Sequence, residues 1–127
     1  MAINSDQDIV AARQSGRAMA AELGFSATDS TLIATAISEL ARNIVSYARK
    51  GEITVKTIHA FSRHGILVIA SDEGPGIPDV LQAMRDGFST SGSLGLGLPG
   101  VRRLMDEFQI ASQPGRGTTV TVKKWKQ

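Results

Sequence analysis

Cysteine is absent from the 127-residue chain. That excludes a disulfide scaffold and a thiolate zinc site, and it fits a cytoplasmic protein. Long apolar runs are missing as well, since none approaches the ~20 residues of a membrane helix. The opening Met-Ala-Ile-Asn-Ser-Asp-Gln-Asp lacks signal-peptide character. Neither charge sign dominates: 14 lysines and arginines stand against 12 aspartates and glutamates. The basic residues are scattered except for Lys123, Lys124 and Lys126 around Trp125, which read as a solvated strand end rather than a nucleic-acid patch. The two histidines, His59 and His64, have no partner at metal-ligand spacing and are given no metal role. Neither nucleic acid nor membrane is expected as a partner. The length suits one domain, residues 1–127, with a single core.

What is present begins with a glycine-rich stretch, residues 87–101, running straight into a helix. Bare amides at a helix entrance, aligned with the positive end of its dipole, make a site for phosphate. Gly92, Gly95 and Gly97 remove the side chains that would hold an anion at a distance. Pro99 or Gly100 is expected to begin the helix, carried on by Val101, Leu104, Met105 and Phe108. Residues 95–100 also satisfy G-x-G-x-x-G, the dinucleotide fingerprint, but no strand precedes them, so that reading is rejected. A Walker-type loop is excluded because no Gly-Lys-Ser/Thr follows, and the motifs of ordinary protein kinases are missing.

The rest of the chain reads in order. Residues 6–23 form a helix capped by Asp6 or Asp8 and stopped by Gly24. A stronger helix follows, capped by Thr28 or Asp29, with Leu32, Ile33, Ala36, Ile37, Leu40, Ile44 and Val45 at helical spacing and Gly51 closing it. Residues 52–58 alternate and 65–71 are almost continuously apolar, an antiparallel hairpin whose second strand is central. Asp72-Glu-Gly-Pro-Gly-Ile-Pro78 breaks the pattern, and 80–84 suit a short helix. Strands at 108–112 and 118–123 flank a turn at 114–117, with Val120 and Val122 facing inward. The expected architecture is a two-layer α/β (α+β) sandwich: a mixed, mostly antiparallel sheet with helices packed on one face.

Candidates for chemistry lie in three places along the chain. Glu39 and Asn43 lie four apart on the second helix, about 40° apart around its axis and beside the apolar stripe. Asp72 ends the central strand, where a carboxylate can accept from a ligand amino group, and Gly74 and Gly76 let a flat group approach the backbone. Thr118 follows Gly115-Arg-Gly117 at the start of the last strand. Each alone has an ordinary alternative: a helix edge facing water, a turn aspartate, a strand residue beside a turn.

Together they form an order: Glu-x-x-x-Asn on a helix, Asp-x-Gly-x-Gly after a strand, a glycine loop before a helix, and Gly-x-Gly-Thr before the last strand. This order resembles the ATPase superfamily of gyrase, Hsp90, the histidine kinases and MutL, over essentially the whole chain. Glu39-Leu-Ala-Arg-Asn43 looks like its N box. Asp72-Glu-Gly-Pro-Gly76, Ser93-Leu-Gly-Leu-Gly97 and Gly115-Arg-Gly-Thr118 look like its three glycine boxes. Within the superfamily, segments 8–14, 37–44, 86–92 and 98–108 are similar to bacterial serine kinases acting on anti-sigma-factor antagonists, in particular the stressosome switch kinases. Two departures stand out. The leader before Asp8 is short for the family's first strand, and residues 80–94 carry only Arg85 as a cation, leaving a lid contact to the γ-phosphate unassigned.

The resemblance implies a serine/threonine kinase using ATP and Mg²⁺. Asp72 would bind the adenine amine, supported by Thr118, with the base against Gly74 and Gly76. Asn43 would give an oxygen to Mg²⁺, and Gly92, Gly95, Leu96 and Gly97 would hold the phosphates. Glu39 would deprotonate the attacking hydroxyl. The implied substrate is a STAS-domain scaffold protein, after which the kinase would bind and activate a PP2C-type phosphatase. Two alternatives stay open: an anti-sigma-factor kinase that binds a sigma factor directly, and a non-catalytic, nucleotide-gated binding module. A homodimer is compatible with all three.

Overall fold

The computed structural model describes residues 1–74, 97–113 and 115–126. Five strands form one sheet in the order β1-β2-β3-β5-β4: β1 (Ala2–Ile3), β2 (Gly51–Ala60), β3 (Arg63–Asp72), β4 (Glu107–Gln113) and β5 (Gly117–Trp125). Among the described residues three α-helices accompany it, α1 (Asp6–Glu22), α2 (Ala27–Asn43) and α3 (Gly97–Leu104), and α2 continues into a wider π turn at Ile44–Ala48. The expected mixed, mostly antiparallel sheet is antiparallel at every described ladder. The short helix expected at 80–84 lies outside the described residues.

Serines cap the first two helices, not the expected Asp6 or Asp8 for the first and Thr28 or Asp29 for the second. Ser5 caps α1 by accepting from the Asp8 N–H at 3.4 Å, while Asp8 Oδ2 accepts from the Asn4 N–H at 2.9 Å. This reciprocal pattern approximates a capping box. Ser26 caps α2, its hydroxyl accepting from the Asp29 N–H at 3.0 Å. Asp6, Asp8 and Asp29 sit instead in the first turns, where a negative charge faces the positive end of the dipole.

Alternation along the strands sends one set of side chains to the helices. Ile53, Ile66, Val68, Val120 and Val122 are buried and meet Ile33, Ile37 and Leu40 of α2 and Val101 of α3 in one core. β3 is the middle strand of five, as its unbroken apolar run required; Leu67 and Ile69 take its other face and stay half-buried. The β2–β3 hairpin is longer than expected. His59 pairs with His64 inside the ladder, their rings edge to face at 4.6 Å, and only Phe61 and Ser62 form the turn.

Three other expectations change. The short leader does form a strand, with Ala2 and Ile3 pairing with Glu52 and Gly51. α3 begins at Gly97, two residues before Pro99, and ends at Leu104, so Phe108 belongs to β4 and packs on the core from the sheet. The basic end of the chain is not uniformly solvated: Lys124 lies on the helix-facing side, 9% exposed. Its Nζ donates to the Leu104 carbonyl at 2.9 Å, a cation at the negative end of α3.

The cap assignment is tested by substitution. Ser26→Ala should lose about 1 kcal/mol of unfolding free energy, whereas Thr28→Ala, at an exposed position, should stay within about 0.5 kcal/mol of the parent in urea titrations.

Candidate functional site

Asp72 closes β3, flanked in register by Gly51 of β2 and Thr118 of β5. Counting back by twos places Asp72, Thr118 and Ser112 on the same face as Ala70, Val120 and Ile110, which is the face the helices cover. The ladder therefore changes at this end from apolar side chains to a carboxylate and two hydroxyls. Ser112 and Thr118 hydroxyls lie 2.9 Å apart. Asp72 Oδ1 accepts from the Gly74 N–H at 2.9 Å, which folds the chain sharply after the strand. No donor among the described residues meets Oδ2.

Two glycines let the chain close in around that carboxylate. At Gly117, φ is +92°, and a Cβ would run into the Asp72 carbonyl oxygen. At Gly74, a Cβ would come within 2.6 Å of the Ala48 Cβ. Ala48 is the last residue of the π turn that extends α2, so this contact seats the end of α2 on the Asp72 turn. A π turn widens the helix by one residue per turn and recurs at functional sites.

Further up the same helix, Glu39 is almost buried. Its side chain is 9% exposed, and Oε1 lies 2.9 Å from Nη1 of Arg42. Oε2 accepts from the Gly97 N–H at 3.4 Å, the first residue of α3. Asn43, one turn beyond Glu39, is half-buried at the C-terminal end of α2.

The expected site residues thus converge where they are described. α2 carries Glu39 and Asn43; its lower end packs on Asp72–Gly74, and its flank reaches Gly97. Thr118 stands beside Asp72. Gly76, Gly92, Gly95 and Leu96 lie outside the described residues. Sequence reading passed over Ser112, although the alternation Phe108, Ile110, Ser112 already put it on the inner face. It also passed over Arg42, whose three-residue distance from Glu39 was the available signal.

Comparison with known proteins gives the class. Residues 28–127 match the family described as Histidine kinase-, DNA gyrase B-, and HSP90-like ATPase. The fold agrees with solved structures: the mycobacterial sensor histidine kinase MprB, at TM-score 0.56 and 20% identity, covers 77% of this chain and 72% of that one. The catalytic domain of histidine kinase ThkA aligns at TM-score 0.56 and 18% identity over 99% and 95%. This chain belongs to the histidine kinase-, DNA gyrase B- and HSP90-like ATPases.

Sequence relatives narrow the branch. The chain is 56% identical to the serine/threonine-protein kinase RsbT of Bacillus subtilis, over 97% of this chain and 92% of the relative. Identity to the anti-sigma F factor of Caldanaerobacter subterraneus is 34%, over 97% and 89%. Within the ATPase family it is a protein serine/threonine kinase of the RsbT type.

The close packing at Gly117 has a measurable consequence. Gly117→Ala should lose about 2–4 kcal/mol, because unfavourable φ and a backbone collision add. Gly115→Ala, with φ +79° but open space around the new Cβ, should lose only about 1 kcal/mol. Paired denaturant titrations distinguish the two.

Proposed function

We propose that the chain acts as one domain, residues 1–127, transferring the γ-phosphoryl group of ATP to a serine or threonine of a STAS-domain scaffold protein, and that it then binds and activates a PP2C-type phosphatase in the cytoplasm. The observation that carries the reading is the reach of α2: one helix touches the amide that opens α3 through Glu39 and the Asp72 turn through Ala48. Residues that would handle the hydroxyl, the phosphates and the base thereby share one wall.

Each residue's part follows from its chemistry. Asp72 keeps Oδ2 for the adenine amine while Gly74 holds Oδ1, and Thr118 stands beside it to support that contact through water. The tight turn at Gly74, and Gly76 after it, leave backbone for the flat base. Gly97 opens α3 with an N–H that Glu39 Oε2 engages only weakly and that phosphate oxygens would take over, with Gly92, Gly95 and Leu96 assigned the same task on sequence alone. Glu39 accepts the hydroxyl proton as the new O–P bond forms and the bond to the ADP oxygen breaks. Transfer of this kind depends mostly on alignment and charge neutralisation, so a small set of groups suffices.

The donors also fit magnesium. Asn43 carries an amide oxygen one turn beyond Glu39 on α2, a hard ligand of the kind Mg²⁺ takes, and phosphate oxygens would complete the shell. Bound Mg²⁺ would neutralise phosphate charge; Asn43 is the residue that would hold it.

A second reading has support from the anti-sigma F factors at 30–34% identity: a kinase that also holds a sigma factor directly. Co-purification with a sigma subunit rather than a scaffold protein would favour it. A nucleotide-gated binding module without transfer is disfavoured by the retention of Glu39.

The decisive experiment incubates the protein with γ-labelled ATP, Mg²⁺ and the STAS-domain proteins of the same genome, reading which one gains label. Glu39→Gln should keep ATP affinity while transfer falls about 10²–10⁴-fold. Asp72→Asn should instead lose ATP binding itself, by calorimetry or nucleotide-analogue fluorescence. Equal loss of ATP binding in both variants would overturn the division of labour.

A further inference from the structure

We infer that Arg42 is the positioning residue for Glu39: it tethers one carboxylate oxygen so that the other is presented to the hydroxyl being phosphorylated. The inference rests on the reading of Glu39 as general base and assigns a role to Arg42, a residue within the first motif that the motif's own pattern leaves unspecified.

The carboxylate is held unequally. Oε1 is 2.9 Å from the Arg42 guanidinium, the length of a charge-assisted bond. Oε2 is 3.4 Å from the Gly97 N–H, at the weak end of hydrogen-bond geometry. One oxygen is anchored and the other is loosely engaged, at the amide that opens the expected phosphate cradle. That division suits a base, because the anchored oxygen fixes the carboxylate's orientation and leaves the lone pairs of the other free to take the proton.

Nothing else described supplies the tether. The last torsion of a glutamate is broad and nearly two-fold, so the helix backbone alone does not set where the two oxygens point. Arg42 sits three residues on, in the next turn of α2, and its place relative to Glu39 is therefore set by the helix rather than by a partner. An i,i+3 pair between two exposed side chains contributes little. Here the acid is 9% exposed and the base 41%, so the nearly buried carboxylate depends on a guanidinium reaching in from the surface. Buried charge without such a partner is strongly disfavoured.

The test compares kcat and KM for ATP in phosphoryl transfer to the labelled STAS-domain protein, using the parent, Arg42→Ala, Arg42→Lys, Glu39→Gln and the Arg42→Ala/Glu39→Gln double variant. Arg42→Ala should lower kcat about ten- to hundredfold, with KM for ATP within about twofold, as misplacement of a reacting group does. Arg42→Lys, which restores a cation at the same place, should recover much of that loss. In the Glu39→Gln background, Arg42→Ala should have no further effect, since both changes act through one carboxylate. A parent-like kcat in Arg42→Ala, or a loss confined to KM, overturns the positioning role. If Glu39→Gln transfers at the parent rate, the general-base reading falls and this one with it. If Glu39→Gln is slow and Arg42→Ala is not, only the positioning role falls.

Discussion

A carboxylate held nine-tenths out of water has to be surrounded by donors, and meeting that requirement at Glu39 organises much of this molecule. The donors come from two directions: the next turn of α2 and the first amide of α3. Satisfying Glu39 therefore ties the two helices together at the point where α3 begins. Around that tie, Leu98 and Val101 of α3 join Ile33, Ile37 and Leu40 of α2 in the core, so an electrostatic requirement and an apolar one act on the same pair of helices.

The other end of α2 obeys a steric constraint. The helix does not end cleanly at Asn43 but widens for five residues and delivers Ala48 onto Gly74. Any side chain at position 74 would push the helix end away from the central strand. The Asp72 turn, the start of β5 at Gly117 and the Ala48 end of the π turn are thus held together by close approach at glycines. Ser112 extends the polar edge of the sheet across β4, giving the end of the ladder three oxygen-bearing side chains in a row.

Much of this arrangement was legible in the chain because its signals are local and periodic. The apolar spacing from Ile33 to Ile44 fixed the buried stripe of α2, the unbroken run through Ile66 and Val68 marked the central strand, and Val120 and Val122 gave the inner face of β5. What escaped were features decided by neighbours distant in sequence. A serine and an aspartate compete for the same capping task, and which one wins depends on the angle at which the chain enters the helix. α3 starts at Gly97 rather than at Pro99 or Gly100, and Leu98, which the expected start left outside the helix, is buried in the core. Lys124 looked like one of several solvated lysines, and only the position of the Leu104 carbonyl across the fold shows why it is buried. The π turn at Ile44–Ala48 was not legible in the apolar spacing, and it ends where Ala48 closes on Gly74.

The burial of Lys124 bears on how the kinase can respond to its nucleotide. Its ammonium pins the tail of α3 to the last strand, while Asp106, immediately beyond the helix, accepts from the Trp125 amide at 2.7 Å. A rod clamped at its far end cannot slide along its axis. α3 is in fact held at both ends, by Lys124 at Leu104 and by Glu39 at Gly97. Of these two ties the one at Glu39 is the longer, 3.4 Å against 2.9 Å, so a displacement of α3 would loosen it before the one at Lys124.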